Sequence, residues 1–303
     1  MSIEESAETP PVTRQHRPRW LETLTLLARN PLAIAAVVVL AGLVFAALLA
    51  ESIVPRDDIF TPDIANRLQA PSGEHWFGTD ELGRDVFARV LAGAEVSLRV
   101  GAVAVGISLT AGVVVGLLAG YFGRWVDDTL MRVMDVLFAF PALLMAIAVL
   151  AILGAGSTNA MIAIGIVYTP IFARITRASV LSVREEVYVR AARSAGAGNV
   201  RIIVRHVLPN VTAPIIVQTS ISLAFAILSE AALSFVGLGT QPPDPSWGRM
   251  LSEGRGFIEQ AWWMAVFPGA AIFVTVLAFN VLGDALRDVL DPRQRSAMKG
   301  VGA

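Results

Sequence analysis

The sequence has no cysteine, one lysine (Lys299) and three histidines, His16, His75 and His206. The first absence excludes disulfide staples, thiolate nucleophiles and cysteine-held metals. The histidines are too scattered in sequence to suggest a metal site. Nor is there a Gly-x-x-x-x-Gly-Lys-Ser/Thr phosphate loop around the lone lysine. Charge of either sign is scarce. Only 16% of the 303 residues are charged and 55% are apolar, against roughly 25% and about 45–50% in an ordinary soluble domain. The 24 basic and 25 acidic residues cancel to a net charge of −1, which leaves no field to gather nucleic acid.

What is present in excess is long uncharged sequence. Residues 30–50, 100–123, 136–173, 206–229 and 260–283 contain no Asp, Glu, Lys or Arg, and each run is long enough for a hydrocarbon core, which needs about 20 apolar residues. The first lacks an A-x-A-like cleavage site, so it reads as a retained membrane helix and not a signal peptide. The third run is too long for one crossing, and Gly154 to Asn159 supply a turn within it. The expected helices are therefore about 31–50, 96–121, 130–153, 158–178, 212–237 and 263–284, an all-α polytopic membrane protein with six crossings. Gly112, Gly116 and Gly120 give the second helix a small-xxx-small face for close packing. The segment 239–262 contains Gln241-Pro242-Pro243-Asp244-Pro245, which forbids regular helix.

Six crossings place both termini on one side, and the arginines choose it. With the termini inside, inner segments hold 17 of the 24 basic residues and outer segments seven, so the positive-inside rule puts both termini in the cytoplasm. The chain then divides into a cytoplasmic tail (1–29), a first helix with an extracytoplasmic segment (30–94), a five-helix transmembrane domain (95–288) with an inner loop at 180–210, and a cytoplasmic tail (289–303). The outer segment 51–95 is acidic, with nine acids against four bases, whereas 174–209 carries seven Arg against two Glu.

That inner loop reads as two short helices with a glycine bend. Val187, Ala191 and Ala192 share a face of the first, Gly196 permits the bend, Ile202 and Ile203 give the second an apolar stripe, and Pro209 is placed to start helix five. Such a loop either lies on lipid headgroups, which its arginines favour, or docks a cytoplasmic partner.

The spacing Ala191-Ala192, Gly196, His206-Val207-Leu208-Pro209 resembles the EAA loop of type I ABC importer permeases. Two more stretches, His75-Trp76-Phe77-Gly78-Thr79-Asp80-Glu81-Leu82-Gly83-Arg84-Asp85 and Glu230 to Gly239 running into Gln241-Pro242-Pro243 and Ser246-Trp247-Gly248, resemble the C-type permeases of dipeptide and oligopeptide importers, as does Asn30-Pro31-Leu32-Ala33. The resemblance covers about residues 29–293. It implies a plasma-membrane transport subunit with no catalytic residue, no metal and no cofactor of its own. ATP and magnesium are bound by two partner ATP-binding subunits, a second permease completes a heterodimer, and an extracytoplasmic binding protein delivers dipeptides, oligopeptides or related solutes such as glutathione, haem or nickel complexes. It further implies Ala191, Ala192, Arg193, Gly196, Arg201, Leu208 and Pro209 as the ATPase-coupling contact, with Arg205 a further cation beside lipid or partner acids. Arg190 stands where the family has its leading glutamate, and Glu186 lies one turn earlier.

Glu230 is the one carboxylate placed well inside a crossing, and intramembrane ionisable groups mark function by default. It is the translocation or gate candidate, with a structural tie to the outer loops as the alternative. Asp80, Glu81, Arg84 and Asp85 form an ion-paired cap, meet the binding protein or set local turns; Trp76, Trp247, Trp262 and Trp263 read as interfacial anchors. The rival class is an ion-coupled secondary carrier, which the crossings oppose by lacking a set of buried acids and interrupted repeats. An intramembrane enzyme would need a His, Cys or paired-carboxylate constellation that the crossings lack.

Overall fold

The computed structural model describes residues 25–290. Most of the two tails read at 1–29 and 289–303, including Arg14, Arg17, Arg19 and Lys299, therefore lies outside the described residues. The described residues are nearly all helical. Asn30 caps α1 (Pro31–Ile53) by accepting from Leu32 N at 3.0 Å and Ala33 N at 3.3 Å, and Pro31 opens its first turn. This helix turns Ala33, Ala36, Ala47 and Ala50 inward and leaves Leu32, Val38, Phe45 and Leu48 exposed, the reverse of a soluble helix and the pattern expected in lipid.

A short α2 (Arg56–Phe60) precedes α3 (Val86–Phe122), whose 37 residues rise about 55 Å. It starts ten residues before the expected 96, capped by Asp85, which accepts from Ala88 N at 2.9 Å. The sequence concealed this start because Arg89 and Glu95 interrupt the apolar run. Arg89 is nonetheless buried, its charge met by Asp80 just before the helix and by Glu253, 164 residues away.

The expected helix 130–153 is two helices, α4 (Arg124–Phe138) and α5 (Ala142–Leu153), bent by 93°. Pro141 forces the break: proline has no N–H for an interior turn and pushes its predecessor out of helical geometry. The turn at Gly154 to Gly156 appears where the sequence placed it. α6 (Ser157–Val183) follows, running five residues beyond the expected 178 and carrying Arg174 and Arg177 as the expected helix did. They pair with Asp135 at 2.7 Å and with Asp127, fastening α4 to α6. A Cβ on Gly116 would stand 2.5 Å from Ala173 O, and one on Gly112 2.5 Å from Phe172 Cβ, so the small face of α3 packs against α6 as the glycine spacing predicts.

After α7 (Val187–Ser194) the chain forms α8 (Asn199–Ile202), a π turn (Ile203–Val207) and α9 (Leu208–Phe235) without a break. The second loop helix is thus the start of helix five, and Pro209 sits just beyond the π turn inside one rod. α10 (Trp247–Gly254) begins after the prolines of 241–245, capped by Ser246, so the expected irregular segment 239–262 holds a two-turn helix in its middle. α11 (Trp263–Leu290) closes the bundle. Among the described residues five helices are long and apolar enough to cross a bilayer, and the bent pair α4–α5 makes a sixth if it is one span.

Candidate functional site

The two ends of the bundle differ. At the hairpin end, α7 and α8 lie against the last turn of α3. Val189, Ile202 and Val207 are fully buried in one apolar cluster with Leu117, Tyr121 and Val180. Polar contacts add direction to that packing. Tyr121 Oη donates to Asn199 Oδ1 at 3.0 Å, Arg193 lies over the Tyr121 ring at 5.5 Å, and Arg184 Nη1 donates to Gly120 O at 2.7 Å. The last of these satisfies a carbonyl at the end of α3 that has no helical partner.

The face expected to unite Val187, Ala191 and Ala192 is split. Ala192 packs toward the core, while Val187 is 71% exposed and Ala191 is also exposed. The helix is only two turns long, and Val189, two residues from Val187 and Ala191, takes the buried side. Outward-facing apolar groups also come from α8 and the π turn, with Val200 76% and Val204 57% exposed. Arg190, Arg193, Arg201 and Arg205 are also exposed, Leu208 is half-buried and Pro209 exposed. Gly196 has φ +82° with open space where a side chain would go, so the bend needs glycine for its backbone and not for room.

At the opposite, capped end, Glu230 is 1% exposed. Its Oε1 accepts from Ser234 Oγ at 2.7 Å and Thr240 Oγ1 at 3.3 Å, and its Oε2 from Ser97 Oγ at 3.3 Å. Ser246 supplies another hydroxyl. Ser97 in turn accepts from Trp247 N at 3.3 Å, and Ser234 from Thr240 N at 2.9 Å. One carboxylate thus joins α9, α3 and the 240–247 loop. The EAALSF stretch pointed to Glu230; Ser97 carries no sequence signal of its own, because it comes from a helix 133 residues away.

Over this carboxylate sits an ion network. Arg84 Nε meets Asp80 at 2.7 Å, Arg89 Nη2 meets Glu253 at 3.1 Å and Arg249 Nε meets Glu253 at 2.9 Å. Arg84 also approaches Glu81 at 3.7 Å, and Arg89 Nη1 donates to Ile59 O at 3.1 Å. Of the three readings left open for this segment, Asp80, Glu81 and Arg84 fit the ion-paired one, whereas Asp85 sets a local structure: it caps α3 and pairs with His75 Nδ1 at 2.8 Å. Burial first, and then Asp80, push the Glu81 carboxyl above its ordinary value. The sequence reading missed Arg89, Arg249 and Glu253; the Arg249/Glu253 spacing of four on a helix was the available signal.

Two of the four expected tryptophan anchors are corrected. Trp247 (1% exposed) and Trp263 (5%) are core residues that donate to Val90 O at 2.9 Å and Thr79 O at 3.0 Å. An indole whose N–H finds a carbonyl is as content in a core as at an interface. Trp76 and Trp262 are exposed. Among the described residues no three His, Asp or Glu side chains are grouped to hold a metal ion.

The chain matches the family described as "Binding-protein-dependent transport system inner membrane component" over residues 112–296, and "N-terminal TM domain of oligopeptide transport permease C" over residues 19–71. It is 48% identical over 277 residues to the dipeptide transport system permease protein DppC of Alkalihalophilus pseudofirmus, covering 91% of each chain. It is 44% identical over 292 residues to the glutathione transport system permease protein GsiD of Pectobacterium atrosepticum, covering 95% of this chain and 96% of the relative. Two solved structures share the fold at 17% identity. An amino acid ABC transporter superposes with a TM-score of 0.52 over 66% of this chain and 94% of its own, and the inward-facing MetNI methionine ABC transporter with 0.54 over 68% and 97%. With its helices in the prokaryotic plasma membrane, the chain belongs to the binding-protein-dependent transport system inner membrane components, as a permease subunit of an ABC importer.

Proposed function

We propose that this permease imports dipeptides, oligopeptides or related solutes handed over by an extracytoplasmic binding protein, as one of two permeases driven by two ATP-binding subunits. The observation that carries this reading is the hairpin of α7 and α8. Val187, Val200 and Val204 are exposed on the same short hairpin as the exposed Arg190, Arg193, Arg201 and Arg205, while Val189 and Ile202 are fully buried. Exposed apolar and basic groups on a fixed base suit an acidic groove on a protein that moves, and lipid headgroups would not require the fixed base. The hairpin end is then cytoplasmic, with the termini, and the capped end faces out. ATP and magnesium belong to the partners, as the sequence carries no phosphate loop. Glu230 acts by tying the 240–247 loop to α3 and α9 and does not meet substrate, because its oxygens are occupied by hydroxyls of its own chain.

The test is uptake of labelled di- and tripeptides into proteoliposomes holding both permeases, both ATPases and the binding protein. Gly196→Val strains a backbone at φ +82° by about 1–2 kcal/mol at a surface position. The complex is expected to assemble and hydrolyse ATP while uptake falls at least severalfold. Normal uptake by this variant would count against the coupling role, and ion-driven uptake by the chain alone would favour the secondary carrier.

A further inference from the structure

The hairpin reaches its neighbours in two ways. It is covalently continuous with α6 through 184–186 and with α9 through the π turn, but α3 is distant in sequence and receives its motion only through non-covalent contacts. Apolar packing around Leu117 and Ile202 lets surfaces slide, because it has no preferred direction. The directional contacts are few: Tyr121 Oη to Asn199 Oδ1 at 3.0 Å, Arg184 Nη1 to Gly120 O at 2.7 Å, and Arg193 over the Tyr121 ring. Tyr121 is the common member of two of them and is itself 7% exposed. Asn199 stands at the first turn of the rod that runs on to Phe235.

From this geometry we infer that Tyr121 and Asn199 are positioning residues of the transport cycle, a clasp that makes α3 follow the hairpin. The inference rests on the coupling reading above. Neither side chain touches the ATPase; each acts by fixing α3 to the element that does. At its far end α3 carries Ser97 and Arg89, which join Glu230 and Glu253. Motion received at Tyr121 is thereby delivered to the capped mouth.

The test uses the full complex in membranes. The chain has no cysteine of its own, so an introduced thiol is the single one on this subunit, and labelling is read on this subunit's band against the unsubstituted complex. Ala191→Cys reports docking by cross-linking to the ATPase subunits. Glu95→Cys, on α3 and half exposed, reports movement as the change in its labelling rate when a non-hydrolysable ATP analogue is added. Tyr121→Phe keeps the ring and its arginine but loses the hydroxyl, and Asn199→Leu loses the acceptor. Each is expected to shrink the nucleotide-dependent change roughly two- to tenfold, the size of one hydrogen bond. The double variant is expected to add nothing, and Asn199→Asp, which keeps an acceptor, to retain the full response. The inference is overturned if Tyr121→Phe and Asn199→Leu respond like the parent, if Asn199→Asp fails as Asn199→Leu does, or if Glu95→Cys ignores nucleotide in a complex whose Ala191→Cys cross-links. Absence of the Ala191→Cys cross-link in an otherwise unsubstituted complex overturns the coupling reading itself, and the clasp with it.

Discussion

Glu230 and Glu81 are two carboxylates in one end of the molecule with opposite circumstances. Glu230 has hydroxyl donors on both oxygens, so Glu230→Leu strands several buried donors and is expected to cost on the order of 1–3 kcal/mol, read as a lower melting temperature of the purified subunit. Glu230→Gln still accepts at one oxygen and is expected to fold and to transport; loss of uptake in an assembled Glu230→Gln complex would instead indicate contact with substrate. Glu81 has a buried oxygen without a hydrogen-bond partner and a carboxyl raised by burial and by Asp80, with Glu253 adding and Arg84 opposing. The folded cap therefore holds the Glu81 proton more tightly than the unfolded chain does. Its contribution is fully present below the ordinary glutamate range and is lost as pH rises through the raised value. Glu81→Gln is expected to flatten that stretch of the profile of melting temperature against pH. The sequence displayed both carboxylates; it did not display their surroundings, because Ser97, Thr240 and Glu253 arrive from other elements.

At the scale of elements, the close approach of α3 and α6 is the contact most exposed to a single change. A Cβ at position 116 meets backbone at 2.5 Å, and backbone cannot rotate away. Gly116→Leu is expected to cost several kcal/mol, on the order of 3 or more by overpacking, seen as loss of the folded subunit from detergent extracts; Gly106→Leu, with open space at its Cβ, is the control. This contact was legible from the glycine spacing, and the crossings from the uncharged runs. The start of α3 was not, since a charge breaks a run in sequence even when Asp80 and Glu253 neutralise it in space. Nor was the 93° bend read, although Pro141 states its cause. The merging of the second hairpin helix into α9 was hidden by Pro209, a residue that begins helices more often than it sits within them.

For the whole molecule, the separation of charge gives a sidedness that thiol labelling can check. Ala191→Cys is expected to react with a membrane-impermeant reagent only from the cytoplasm, and Glu74→Cys, on an exposed turn of the capped end, only from outside. The reverse pattern would invert the topology read from the arginines. The capped end gathers three acids, Asp80, Glu81 and Glu253, against three arginines, Arg84, Arg89 and Arg249. Its balance is internal and largely out of water, whereas the hairpin arginines stand in solvent. Dissolved ions screen exposed charges within about a nanometre and reach buried pairs far less. Ionic strength therefore reaches the hairpin arginines far more than the paired charges of the cap, and added salt is expected to weaken the docking proposed at the hairpin before it loosens Asp80, Arg84, Arg89 and Glu253 from one another.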